Sequence, residues 1–172
     1  SSSMASPQLG QSAPAPLPNG LQPIGATQQV SGHGFTATIT VADGATVDRQ
    51  GSNTVVLVPI QITVTSGQLD LAPDNWRLVT KSNQTITGMS GLDYAHALGN
   101  NTVVAPAPPI SAIIPFSSFT GDGTTGTLSD TEQLSGIDFY DPQDQNAPTK
   151  KTNWTWAAAP AINSLPKYSG GH

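Results

Sequence analysis

The side chains in this sequence able to transfer protons or bind metals are three histidines and eleven carboxylates, ten of them Asp and one, Glu132, a Glu; cysteine is absent. Without cysteine there are no disulfides, thiol nucleophiles, zinc–thiolate sites or iron–sulfur clusters. His33 sits in SGHGF, His96 in DYAHAL, and His172 is the last residue, a frayed end or tag remnant. Serine hydrolysis needs a His beside an activated nucleophile, and no G-x-S-x-G supports either internal histidine, so both read as surface or loop residues. A glycosidase needs paired carboxylates across a cleft, and with eleven acids some pair is always possible. The densest acidic group is Asp138, Asp141 and Asp144 in IDFYDPQDQN, where hard oxygen ligands at a strand end could hold Ca²⁺. Its spacing is not that of a calcium loop. Asp138 alternates with apolar Ile137 and Phe139, which predicts that it faces outward alone, and Asp141-Pro142 starts a turn well. The GDG at 121–123 reads as a turn, since a phosphate cradle would need a helix after it. No catalytic residue and no cofactor are expected.

The aromatic residues raise a second possibility. In KKTNWTWAAAP, Trp154 and Trp156 stand two apart, so on a strand they share one face, beside Lys150, Lys151 and Asn153. Two coplanar indoles make a platform for sugar rings or another apolar partner; alternatively they fill the bottom of a core as the C-terminal tail docks back onto it. Tyr140 and Tyr168 complete the candidate ligand-binding set. Trp76 opens a strand with Leu78 on its side and is assigned to the core. The sequons at Asn83, Asn100 and Asn153 are no more than a Thr-rich chain gives by chance.

The elements that must position these groups read as all-β. The chain has 172 residues, enough for one domain, with 17 Gly, 15 Pro and only 10% charged residues, against roughly 25% in typical soluble domains. Asp favours turns and Glu favours helices, so ten Asp to one Glu also argues against helix. Residues 1–29 are Pro-, Gly-, Gln- and Ser-rich and uncharged, and read as a disordered, semi-stiff stalk whose first six residues have the look of a cloning scar. Such a stalk fits an exported protein whose signal peptide or lipid anchor has been cut away, so an extracellular or cell-envelope location is expected. From there FTATITV alternates Phe35, Ala37, Ile39 and Val41 with threonines, and TVVLVPIQITV puts Val56, Val58, Ile60, Ile62 and Val64 on one face. Pro59 lacks a ladder donor, which predicts an edge strand or a bulge there. NWRLVTKSNQTITGM reads as two short strands around Lys81–Gln84, with Trp76, Leu78 and Ile86 inward; PPISAIIPFSSF offers Ala112, Ile114 and Phe116; GTLSDTEQLSGIDFYDP holds a last pair of runs ending in Ile137 and Phe139. About seven short alternating strands predict an antiparallel immunoglobulin-like β-sandwich over 30–142, followed by a partly docked tail over 143–172.

The order VPIQITVTSGQ, NWRLVTKSNQTI, PPISAIIPF and SGIDFYDP, spanning Thr54 to Pro142, resembles the mycobacterial and wider actinobacterial secreted antigens with a telokin-like, disulfide-free immunoglobulin-type sandwich. The threonine- and glycine-rich stretch around GDGTTGTLSDTE and the tail after Pro142 depart from that pattern. The resemblance implies a sandwich fold, an extracellular location and a binding or antigen-like role, and it brings no catalytic residues. A net charge of −5 with six scattered cations leaves no footprint for nucleic acid or anionic lipid. No apolar run nears the roughly 20 residues that cross a bilayer as a helix. The expectation is a non-enzymatic exported or envelope-associated module, monomeric, with an unidentified envelope or host ligand. An envelope assembly subunit pairing through strand edges is the alternative, and a hydrolase comes third.

Overall fold

The computed structural model describes residues 17, 21–50, 53–117, 128–144 and 151–171. Ten strands follow in order: β1 (Thr27–Gly32), β2 (Phe35–Val41), β3 (Thr46–Gln50), β4 (Asn53–Leu71), β5 (Trp76–Thr80), β6 (Thr85–Thr87), β7 (Asn101–Val104), β8 (Ile110–Ser117), β9 (Leu134–Tyr140) and β10 (Lys151–Thr155). One sheet runs β1-β2-β4-β3, with β7 and β8 also paired to β4; the other runs β10-β9-β5-β6. All strand pairs are antiparallel. Among the described residues there is no α-helix, only two short 3-10 turns at Pro73–Asn75 and Ile162–Ser164. The all-β sandwich predicted from the sequence is the fold. The stretch at 121–123 lies outside the described residues.

The core is built by the alternations read above. Ala37, Ile39, Val41, Val56, Val58, Ile62, Trp76, Leu78, Ile86, Ile114, Phe116 and Ile137 are all fully buried between the sheets, and Phe35, Ile60, Val64, Ala112 and Phe139 are nearly so. Period-two patterning leaves one face for the partner sheet, and Thr36, Thr38 and Thr40 accordingly take the opposite face of β2.

β4 is where the structure departs from expectation. With nineteen residues it is the longest strand and lies in the interior of its sheet, although Pro59 predicts an edge or a bulge. The register with β8 runs unbroken through Pro59↔Ile113. On the other side β3 pairs only up to Leu57 and β2 only from Ile60. The Pro59 carbonyl faces that side, accepting from Ala42 N–H at 2.9 Å, so the missing N–H points into the corner where β2 turns into β3 and no ladder bond is lost. The one irregularity of the β2–β4 register falls instead at Thr36/Ala37.

Both ends of the sandwich extend past the limits read from composition. Thr155 N–H donates to Gln22 O (2.8 Å) and Ile24 N–H to Thr155 O (2.9 Å), so the chain first lies along β10 and then crosses to the other sheet as β1. Residues 22–29 therefore belong to the sandwich, and the tail supplies β10. Among the described residues no helix is long and apolar enough to cross a membrane.

Candidate functional site

The β1–β2 hairpin closes through Gly32, His33 and Gly34, the last with φ of 80°. Beside it, β9 ends at Tyr140 and the chain turns through Asp141–Asp144, with Asp144 N–H donating to Asp141 O. This is the turn that Asp141-Pro142 announces, and it lays the carboxylate of Asp141 over the hairpin. Asp141 Oδ2 accepts from His33 N–H at 2.6 Å and lies 2.7 Å from His33 Nδ1. A Cβ on Gly32 would come within 2.5 Å of that same oxygen, so only glycine lets the carboxylate approach. One ligand atom from each of His33, Asp141 and Asp144 lies within 4.8 Å of the others. The three line a cleft of about 260 Å³ with Val30, Ser31, Gly32, Phe139 and Thr152.

The electrostatics follow from these contacts. The hydrogen bond to Asp141, with the negative charges of Asp141 and Asp144, raises the His33 imidazole above its ordinary range although the ring is 59% exposed. Burial pushes the Asp141 carboxyl up, but hydrogen bonds from the backbone N–H groups of His33 and Gln143 and from the imidazole outweigh it and hold the group low. The cleft thus gathers two carboxylates against one imidazole, an oxygen-and-nitrogen donor set that is net negative whether the imidazole is charged or neutral.

Asp138 does not join this group, and the expectation that it faces outward alone is corrected. It is on the outer face of β9 yet only 2% exposed, because its cross-strand neighbours cover it. Asn153 Nδ2 donates to Oδ1 at 2.7 Å, Lys151 Nζ lies 3.2 Å from Oδ2, and Arg77 is its register partner on β5. His33 takes its place in the acidic cluster. Its spacing from Asp141 gives no local signal; the flanking glycines, which mark a tight turn able to present a side chain, are the one sequence cue.

The four aromatic candidates occupy three separate places. Trp154 is fully buried and Trp156 is 8% exposed, both in the core rather than on a platform. The Trp154 ring packs 6.1 Å from that of Trp76, and its Nε1–H donates to Ala26 O at 2.9 Å. Tyr140 lies under the Arg77 guanidinium, 5.4 Å from its ring centroid. Tyr168 packs edge-on against Tyr94 on the far side of β4. No shared surface joins them. His96 lies in an exposed left-handed turn with φ of 63°.

No protein-family model matches the chain, and no curated protein matches it. Among solved structures it is similar to MPT63, a secreted protein from Mycobacterium tuberculosis, with a TM-score of 0.56 and 10% identity over 78% of this chain and 95% of that one. A candidate lipoprotein from Staphylococcus aureus subsp. aureus NCTC 8325 aligns with a TM-score of 0.45 and 8% identity over 84% of this chain and 100% of that one. The resemblance to the secreted antigens thus has a structural counterpart at the level of the sandwich fold.

Proposed function

We propose that this protein is an exported, non-enzymatic β-sandwich module that binds a small cationic ligand in the cleft between His33, Asp141 and Asp144. The observation that carries the reading is the convergence of an imidazole and two carboxylates from segments 108 residues apart in one concave site. Mixed nitrogen and oxygen donors favour a borderline divalent cation such as Zn²⁺ over Ca²⁺, which prefers six to eight oxygens. Export is supported by the uncharged, Pro-rich N-terminal stretch and by the fold shared with a secreted protein. The imidazole's hydrogen-bond partner among the described residues is the Asp141 carboxylate rather than a hydroxyl, and this favours binding over hydroxyl-based catalysis.

The test is a titration of the whole chain with ZnCl₂ and CaCl₂, followed by the ¹H–¹⁵N resonances of His33, Asp141 and Asp144. Zn²⁺ should shift these three saturably, and Asp144→Asn, which removes a ligand charge without touching the His33–Asp141 contact, should weaken binding at least about tenfold. Shifts spread over the other acids, or unaffected by Asp144→Asn, defeat the assignment. Fractionating the source organism with an antibody to the chain tests export: recovery only from the cytoplasmic fraction rules it out.

A further inference from the structure

The path β1-β2-β4-β3 ends at β3, and an edge strand offers unpaired N–H and C=O groups to any extended chain that reaches it. Here the chain's own tail has reached it. Val47 N–H donates to Pro166 O at 3.0 Å and Val47 O accepts from Tyr168 N–H at 2.8 Å, a parallel bridge centred on Lys167. Ala95 N–H then donates to Gly171 O at 2.9 Å.

Beneath the tail lies the outer face of β4, which carries a second small core: Val55 and Leu57 are buried with Tyr94, and Leu92, Ala97, Ile113 and Tyr168 pack against them. The Tyr168 ring meets Tyr94 at 5.2 Å and 87°, an edge-to-face contact. Upstream, Ile162 is fully buried and anchors the tail, with Ile162 N–H donating to Glu132 O. Between anchor and end the tail buries little: Pro166, Lys167, Ser169, Gly170 and Gly171 are all exposed. A cleft of about 380 Å³ lined by Val47, Asp48, Arg49 and Lys167 runs alongside.

Three backbone hydrogen bonds, each worth about 0.5–1.5 kcal/mol net, and the packing of Tyr168 on the Tyr94 cluster hold the tail down as a clasp. The covalent tether adds to these contacts by holding a short segment at an effective concentration on the order of millimolar. We propose that the β3 edge with its Tyr94 floor is a strand-acceptor site for an extended, tyrosine-bearing segment, kept filled by residues 166–171, and that the partner it fits is the same segment of a second copy of this chain. A second copy's tail offers the same Pro166 carbonyl, the same Tyr168 N–H and the same ring, so strand exchange conserves the contacts at Val47 and Tyr94.

The experiment uses the full chain carrying Tyr168→Ala and a peptide of residues 162–171 as the second copy's tail in trans. In Tyr168→Ala, hydrogen exchange at the amides of Val47 and Ala95 should accelerate about tenfold or more, with Ile60 and Ile62 in β4 unchanged. Tyr168→Phe, which keeps the ring, should exchange like the unmodified chain. The peptide should bind Tyr168→Ala and restore protection at Val47, should bind the unmodified chain at least about tenfold more weakly, and should lose binding when its own tyrosine is alanine. Unchanged exchange at Val47 in Tyr168→Ala overturns the clasp. A peptide that fails to bind Tyr168→Ala, or binds both chains equally, overturns the acceptor site.

Discussion

Trp154 is the residue on which the sequence left two roles open, and burial decides between them. Its ring lies against Trp76 and its indole N–H has a backbone partner, Ala26 O, so it behaves as a large core side chain with its polar edge satisfied. Trp154→Ala should cost about 3–5 kcal/mol, read as a fall in the urea midpoint at unchanged slope. A cost below about 1 kcal/mol would contradict the packing. Tyr94 makes a pH-dependent contribution. Burial and the hydrogen bond to Asp48 raise its phenol well above the ordinary value of 10.0, so between that value and the raised one the folded state holds a proton the unfolded state has lost. Stability is therefore full below pH 10 and declines as pH rises above it. Melting temperatures at pH 9 and pH 11 check this: the fall should be larger in the unmodified chain than in Tyr94→Phe.

The hairpin and the long strand show how glycine and proline position whole elements. Gly32→Ala puts a methyl within 2.5 Å of Asp141 Oδ2 and 2.4 Å of Phe35 Cε1, so hairpin and turn must separate. The variant should lose about 1–3 kcal/mol, and the imidazole titration of His33, followed by NMR, should move back toward its ordinary value. A His33 titration identical to the unmodified protein's would show that the approach does not depend on Gly32. Pro59→Ala makes the opposite case. The new N–H would face the β2–β3 corner without a ladder partner, so the expected loss is only about 0.4–1 kcal/mol, from the greater freedom of the unfolded chain. A gain in stability would mean the amide finds a bond there.

At the level of the whole molecule, β4 belongs to both cores. Val56 and Val58 face the sandwich interior while Val55 and Leu57 face the Tyr94 cluster, so neither core survives loss of the strand. Thermal unfolding followed by tryptophan emission, which reports the main core, and by near-ultraviolet tyrosine dichroism, which reports the Tyr94–Tyr168 pair, should give one coincident transition. Two separated midpoints would show the outer cluster to be an independent unit.

The alternations of β2, β4, β5 and β8, the polar turn at Lys81–Gln84 and the exclusion of thiol chemistry were legible in the residues, because period-two patterning and residue type are local properties. The sandwich follows from them, since each half-apolar strand needs a second sheet to cover it. The tertiary structure alone decided where the chain's ends go, which neighbours a polar residue acquires and which distant residues meet. Asp138 looks solvent-facing by alternation and is buried by Arg77, Lys151 and Asn153 from flanking strands. Pro59 looks like an edge marker and sits in the middle of a sheet, because two partner strands happen to end on either side of it. His33 and Asp141 are 108 residues apart and meet at 2.7 Å. Such contacts depend on register and sheet crossing, set by the packing of the strands together, and no local pattern encodes them.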